Sequence, residues 1–469
     1  MDSSSPHIIL FPFMSKGHTI PLLHLSRLLF HRGATVTIFT TPANLPFITT
    51  SLSDAKVSKI ISLPFPENIP GIPNGTESTD ALPSMSLFPV FATATKEMQP
   101  HFEMALESLP KATFMISDGF LFWTLDSCNK FNIPRLVFYG MNNYAMTISR
   151  IVGQNELLMK AKTEDEEFVV NDFPWIKLTR QDFVPPFTDR EPKGIYFEFV
   201  MQAAIATTKS YGIVVNSFYE LEHKFCDYYN LNYKPKSWSV GPLCLAEKLA
   251  SFNIKSEGYK KPHWIKWLDS KLEQGETVLY VGFGSQAEIS SQQVNEIKTA
   301  LEKSQVNFLW VVRNYNQDEL SDDGFEERVK ERGLMVKEWV DQREILEHKS
   351  VEGFLSHCGW NSVLESICAK VPIIAWPMMA EQPLNARMVV EELKIGLRIK
   401  THDGSLEGFV KAEVLENMVR ELMGGEMGKE ARKRVEEFSE AAMKAIEECG
   451  SSWCALNALI NELHNKRSA

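Results

Sequence analysis

The sequence predicts an α/β protein of two doubly wound parallel sheets, one in each half of the chain, facing each other across a cleft. Three observations carry this. The chain opens with an apolar run, His7 to Phe13, then a leucine-rich helical pattern from Ile20 to Arg32, then a β-branched run from Ala34 to Thr41. That order of strand, loop, helix and strand begins a parallel sheet. A second series of the same kind starts at Thr277–Gly282. Between the two, Ala246 to Lys261 mixes Lys, Ser, Asn and Gly with little periodicity, as a linker does. At 469 residues the chain is also longer than one core usually serves. The expected boundaries are 1–245 for the first domain, 246–261 for the linker and 262–449 for the second domain, with 450–469 as a final segment.

Further strands are expected at Phe114–Ser117, Arg135–Tyr139 and Gly212–Asn216 in the first half. The second half should add Asn307–Val312, Gly353–Ser356 and Pro372–Trp376. Lys429 to Glu448 reads as a charged amphipathic helix.

Composition narrows the function. Hydrophobic residues make up 44% and charged residues 23%, as in an ordinary globular protein. The formal net charge of -11 argues against a nucleic-acid partner. Seven cysteines form no CxxC pair, which fits a reducing compartment and neither a disulfide framework nor a zinc site. No apolar stretch approaches the roughly 18 to 20 residues that span a bilayer, so no membrane insertion is expected. Met1 to Pro6 lacks the basic start of a signal peptide. A cytoplasmic monomer is the expectation.

The densest chemical signal runs from Trp339 to Gln382. It holds Trp339-Val340-Asp341-Gln342, His348, His357-Cys358-Gly359-Trp360-Asn361-Ser362, Glu365, Val371-Pro372, Pro377 and Glu381-Gln382. In length and order this resembles the signature box of the plant secondary-product UDP-glycosyltransferases. The likeness continues in Val215 to Glu222, in Val240-Gly241-Pro242-Leu243 and in Gly450-Ser451-Ser452 before a final apolar helix. The resemblance implies two Rossmann-like domains of the GT-B type. The first domain would bind the acceptor, the second the UDP-sugar, and the helix of 450–469 would pack back on the first.

The chemistry suits these residue types. Phe354-Leu355-Ser356 ends a strand and Gly359 starts a helix, whose unpaired first N–H groups and positive dipole end favour a diphosphate. His357, Asn361, Ser362 and, on a neighbouring loop, Ser285 add donors that stabilise charge on the leaving UDP. No Asp-x-Asp pair occurs, so no metal and no further cofactor is expected, with the UDP-sugar as co-substrate. By resemblance, Trp339 stacks on uracil, Val340 meets the base edge, and Gln342 with Glu365 hold the ribose. Trp360, Glu381 and Gln382 then meet the sugar, and Gln382 points to glucose. Gly282-x-Gly284 after a strand also invites a dinucleotide reading, but no acidic residue follows at the expected strand end.

On the acceptor side, Gly17-His18-Thr19 follows the first strand, which places His18 on a loop at a strand's C-terminal end, and Asp118 follows the strand from Phe114. Ligands bind at such ends in open α/β sheets. The family carries a His–Asp dyad at these positions. His18 would take the proton of an acceptor hydroxyl while Asp118 fixes its tautomer, and attack opposite UDP would invert the anomeric carbon. His24 falls inside the leucine-rich helix and reads as packed or capping. Phe13, Met85, Phe88, Phe120, Phe122, Tyr139, Phe199 and Met379 are candidates for an apolar acceptor wall, suited to flavonoids, other phenolics or terpenoids.

Three positions depart from the family pattern. Asp341 stands where Pro or Ala is usual, Lys370 where Gly is common, and Gly140 where many relatives carry Thr or Ser near the donor sugar. Asn142 or Asn143 are candidates to substitute for the last. Beside O-glucosyl transfer stand two alternatives: attack by an electron-rich ring carbon, and a non-catalytic UDP-sugar sensor.

Overall fold

The computed structural model describes residues 5–53, 59–246, 260–312, 324–406 and 408–468. Most of the expected linker, 246–261, lies outside them. The chain divides into two compact units: residues 1–147, 189–254 and 443–469 form one, and residues 148–188 and 255–442 the other.

The first unit carries a seven-stranded parallel sheet. Its strands are β1 (His7–Phe11), β2 (Thr35–Thr40), β3 (Lys59–Ser62), β4 (Phe114–Asp118), β5 (Arg135–Tyr139), β8 (Gly212–Val215) and β9 (Lys236–Ser239). They lie in the order β3-β2-β1-β4-β5-β8-β9. Every residue of β1 is buried because helices cover both faces. Side chains alternate between those faces. Ile8 and Leu10 pack with Leu22, Leu25 and Leu29, and with Leu456, Leu459 and Leu463 of the last helix, Ser451–Ser468. Ile9 and Phe11 pack with Phe91, Phe102, Trp123 and Phe199 on the other.

The helix after β1, Lys16–His31, starts a turn earlier than the periodicity predicts. Ser15, in extended conformation, precedes it, and the N–H groups of His18 and Thr19 both bond the Ser15 carbonyl. Pro21 lies inside this helix, where it forfeits a bond near the N-terminus but keeps a helical φ. His18 therefore sits in the first helical turn and not on a loop, which gives its backbone a fixed frame.

The second unit repeats the design with six parallel strands. These are β10 (Val278–Gly282), β11 (Asn307–Val311), β12 (Gly333–Val336), β13 (Val351–Ser356), β14 (Ile373–Ala375) and β15 (Gly396–Arg398), ordered β12-β11-β10-β13-β14-β15. Leu279 and Val281 face Ile297, Leu301, Leu415 and Val419. The charged helix runs over Glu426–Ile446. An antiparallel hairpin, β6 (Phe168–Val170) with β7 (Phe173–Leu178), belongs to this unit too. Its tie is ionic. Asp182, 1% exposed, accepts a fork from Arg387 at 2.9 and 2.8 Å, with Arg398 at 3.3 and 3.2 Å and the Thr179 N–H at 2.9 Å. Burial alone would raise the Asp182 carboxyl; the two guanidiniums outweigh it and hold it below the usual aspartate value.

Candidate functional site

In each sheet the strand order reverses once next to the strand that opens it. In the first unit this falls between β1 and β4, where Ile9 pairs with Met115 and Phe11 with Ser117. Such a switch point opens a crevice at the strands' C-terminal ends. His18 lies just beyond β1 and Asp118 ends β4, so residues 100 apart in sequence meet: His18 Nδ1 and Asp118 Oδ2 are 2.6 Å apart. The carboxylate is 0% exposed and the His18 side chain 21%. Asp118 Oδ1 accepts the Phe120 N–H at 2.9 Å, so both its oxygens are committed. With Nδ1–H donated to the carboxylate, Nε2 becomes the proton-accepting nitrogen.

The turn after Asp118 depends on Gly119. A Cβ there would come within 2.1 Å of the Tyr139 ring. Because that space is open, Phe120 can swing against His18, with ring centroids 5.0 Å apart, and Phe13 lies 5.9 Å from the same imidazole. Phe88 adjoins Phe13 and Phe120 at 6.0 and 5.4 Å, and Phe199 adjoins Phe120, Phe88 and Phe122 at 5.6, 5.9 and 5.9 Å. Tyr139 meets Phe120 at 6.2 Å. The predicted wall is thus largely one aromatic cluster that includes the imidazole. Met85 is partly buried in the short 3-10 turn Met85–Leu87 just before Phe88, and Met379 belongs to the second unit. Two rings escaped the sequence reading, Phe91 against Phe13 and Tyr196 against Phe88. Their signal is helical spacing: each stands three residues from a ring already named.

Asn142 and Asn143 have other work. Asn142 Oδ1 accepts the Ala145 N–H at 2.6 Å, capping the helix Asn143–Gln154. The Asn143 amide donates to Glu222 at 3.2 Å and Ser239 at 3.0 Å.

In the second unit the switch point lies between β10 and β13, whose ends pair Gly282 with Ser356. The helix Trp360–Cys368 starts straight after β13, with Gly359 as a cap that brings no side chain. The first-turn amides of a helix lack intrahelical partners, which is what makes such a start suited to an anion. The chain reaches it through Cys358 at φ 62, a left-handed turn held by a bond from Asn385 Nδ2 to the Cys358 carbonyl at 2.9 Å.

His357 fills the gap between the two loops. A Cβ on Gly284 or Gly359 would lie 2.9 or 2.6 Å from its Nε2, so the glycines make room for the ring. Its buried Nδ1 has no hydrogen-bond partner. An orphaned donor or acceptor in the interior is costly, and a ligand oxygen is the natural complement. Burial lowers the His357 pKa to about 4, with the Gly282 carbonyl opposing, so the ring is neutral near pH 7. Ser285 follows on the same glycine loop, and Asn361 and Ser362 stand in the helix's first turn.

Gln342 is the hub of the next cluster. Its Nε2 donates to Ser362 Oγ at 2.9 Å and Glu365 Oε2 at 2.7 Å, while Oε1 accepts from Tyr280 at 3.3 Å. Tyr280 is a residue the sequence reading missed; it lies two before Gly282 on β10, hence on the same face. Asp341 caps the helix Gln342–Leu346 through the Arg343 N–H at 3.0 Å, which accounts for this departure. Lys370 takes φ 63, the conformation that explains glycine in its relatives, and pairs with Glu436 at 2.9 Å.

Trp339 is 47% exposed, and Val340 beside it is buried. Trp360 is only 2% exposed, so its ring has little surface left for a ligand. Gln382 Oε1 accepts the N–H groups of Met378 and Met379, both at 3.0 Å, which turns its NH2 into the donor available for recognition. Glu381 Oε1 accepts from Asn385 Nδ2 at 3.3 Å. Among the described residues no cluster of three His, Cys, Asp or Glu side chains could hold a metal ion, and no helix is long and apolar enough to cross a membrane.

Burial raises the Glu365 carboxyl to about 7, against the pull of Gln342. A ribose hydroxyl held by Glu365, as the resemblance implies, would donate best to the ionised form, and its binding would release a proton. Uridine affinity is therefore expected to weaken as pH falls through about 7, and to stay flat in the Glu365→Gln protein. Calorimetric titration between about pH 8 and 6 checks this; a pH-independent wild type would remove Glu365 from the ribose site.

Comparison with known proteins agrees with this geometry. Residues 246–436 match the family model for UDP-glucoronosyl and UDP-glucosyl transferases. UDP-glycosyltransferase 90A1 of Arabidopsis thaliana is 54% identical over 472 residues, covering 99% of this chain and 97% of its own. UDP-glucose flavonoid 3-O-glucosyltransferase 7 of Fragaria ananassa is 36% identical, with 98% and 96% covered. Among solved structures, a Glycyrrhiza uralensis glycosyltransferase complexed with glycyrrhetinic acid 3-O-monoglucuronide superposes with a TM-score of 0.86 at 32% identity, covering 98% of this chain and 96% of its own. A Phytolacca americana enzyme complexed with UDP-2fluoro-glucose and pterostilbene gives 0.79 at 29%, covering 98% and 100%. With its two Rossmann-like units of the GT-B type, this chain belongs to the plant UDP-glycosyltransferases, enzymes that transfer a sugar from a UDP-sugar to a small acceptor.

Proposed function

We propose that this enzyme transfers glucose from UDP-glucose to a hydroxyl of a small lipophilic phenolic or terpenoid, with inversion and without a metal. The observation that carries the reading is the 2.6 Å bond between His18 and Asp118 beside an aromatic cluster. A phenol packed on Phe13, Phe120 and Phe199 would present its hydroxyl to His18 Nε2. The imidazole takes the proton, Asp118 steadies the imidazolium, and the oxygen attacks the anomeric carbon from the face opposite UDP. Charge growing on the departing diphosphate would meet the helix start at Gly359 and the neutral His357. Those donors do the work for which other sugar transferases use a divalent ion.

The choice of glucose leans on Gln382, whose NH2 is oriented by the Met378 and Met379 amides, and on Glu381 beside it. Flavonoid and stilbene named for the strawberry and Phytolacca proteins favour planar phenolics as acceptors. Seven free cysteines suit a reducing compartment such as the cytoplasm.

The test is UDP release from UDP-glucose against flavonoids, simple phenols and terpenols, with products checked by mass. Turnover is expected to survive excess EDTA unchanged. Loss of turnover in EDTA, restored by a divalent ion, would contradict the metal-free account.

A further inference from the structure

Behind the His18–Asp118 pair lies a buried charge with no part yet in the chemistry. Arg135 opens β5, next to β4, and is 2% exposed. Its Nε donates to Ser117 Oγ and Thr124 Oγ1, both at 2.8 Å, and Nη1 to Ser210 Oγ at 2.7 Å. Nη2 points at the carbonyls of Asp118 and Leu121, both at 3.4 Å. Every one of these partners is neutral. A guanidinium withdrawn from water on hydroxyls and carbonyls alone is strongly disfavoured unless an anion nearby compensates it.

The surrounding groups leave one candidate for that anion. Burial pushes the Cys128 thiol, on the helix Thr124–Lys130, up to about 12, and raises the Tyr139 phenol. Both are therefore uncharged near pH 7. On the helix Gln99–Glu107, Glu103 is engaged by Lys130 and Ser127. The helix Ile195–Lys209 offers Thr207, bonded to Tyr139, and its Lys209 is exposed. Beside His18, Lys16 is paired with Asp80. Asp118 remains as the buried carboxylate whose field Arg135 shares.

We infer that Arg135 is a positioning residue for sugar transfer: its fork fixes the turn that aims Asp118 at His18, and its buried positive charge stands behind the pair, opposing a second positive charge on the imidazole. The inference rests on the proposed role of His18 as base. Asp118 alone would draw a proton onto the imidazole and leave the base already occupied. The cation behind the carboxylate opposes that pull by like-charge repulsion, which leaves Nε2 open to the acceptor's proton. The same guanidinium bonds Ser117, the Asp118 carbonyl, Leu121 and Thr124, which bracket the turn whose Phe120 N–H holds Asp118 Oδ1.

The test is the acid limb of kcat/KM against pH in three variants. Arg135→Met removes the charge, Ser210→Asp keeps the guanidinium but sets an anion against Nη1, and Arg135→Lys keeps a charge but loses the fork. In the first two the limb is expected to move up by roughly 0.5–1 pH unit, because an imidazolium is no longer repelled. In the lysine protein it should stay within about 0.2 unit of wild type while kcat falls. A purely structural role would lower activity without moving the limb. If Arg135→Met fails to fold, Ser210→Asp carries the decision. An unmoved limb in Ser210→Asp, or an equal shift in Arg135→Lys, overturns the inference. A His18→Ala protein with wild-type turnover would instead overturn the base assignment beneath it.

Discussion

The His18→Ala protein should lose transferase activity, with kcat/KM down by roughly 10²- to 10⁴-fold, while UDP binds as in wild type. The magnitude is that of one positioned general base. The direction follows from geometry: Asp118, wholly buried, has one oxygen on His18 and the other on the Phe120 N–H, so no second base stands ready in that turn. In the proposed arrangement UDP would be held in the other unit, at the helix start at Gly359 and the Gln342–Glu365 pair. Turnover kinetics beside UDP calorimetry separates the two; a variant that binds UDP poorly, or one that still turns over, would contradict the division of labour.

Asp182→Ala is expected to cost about 3 kcal/mol or more in the stability of the second unit. Removing one partner of a buried ionic cluster strands the others, typically at roughly 3–5 kcal/mol, and here Arg387 and Arg398 both lose their shared carboxylate. The low end applies because each guanidinium side chain keeps 20% exposure. The pH dependence has a definite sign. The folded carboxyl is held below its unfolded value, so its stabilisation is present above about pH 4 and lost as pH falls through the folded value. Urea unfolding should show a gap between wild type and variant at neutral pH that closes in acid. A neutral-pH gap below about 1 kcal/mol would mean that water replaces the ion pairs at little cost.

How far the sequence reveals this molecule depends on burial. The central strands β1, β4, β5, β10, β13 and β14 are covered on both faces and read as plain apolar runs. The outermost strands β3, β9, β12 and β15 were not foreseen, and all four are sheet edges. Lys59-Ile60-Ile61-Ser62 is short and half polar because an edge meets solvent; Lys236-Ser237-Trp238-Ser239 is as short, and its two serines, though buried, break the continuous apolar signal. The hairpin Phe168–Leu178 has exposed Trp175 and Lys177 and was passed over for the same reason.

Within the site, residues close in sequence were legible and long-range ones were not. The helix start at Gly359 follows from a strand end and a glycine. The His18–Asp118 pairing across 100 residues came from family resemblance, and the switch-point rule explains it only once the strand order is known. Arg135 carried no signal, since an arginine at a strand's first residue reads as solvent-facing. Burial of that arginine against Ser117, Thr124 and Ser210 is a property of the assembled sheet.

The most direct test of the central claim is the anomeric configuration of the first product formed from UDP-glucose, followed by proton NMR during turnover. A single displacement by a hydroxyl that His18 has deprotonated predicts a β-glucoside from the first turnover onward. An α-glucoside as the initial product would contradict that mechanism, because it requires retention at the anomeric carbon.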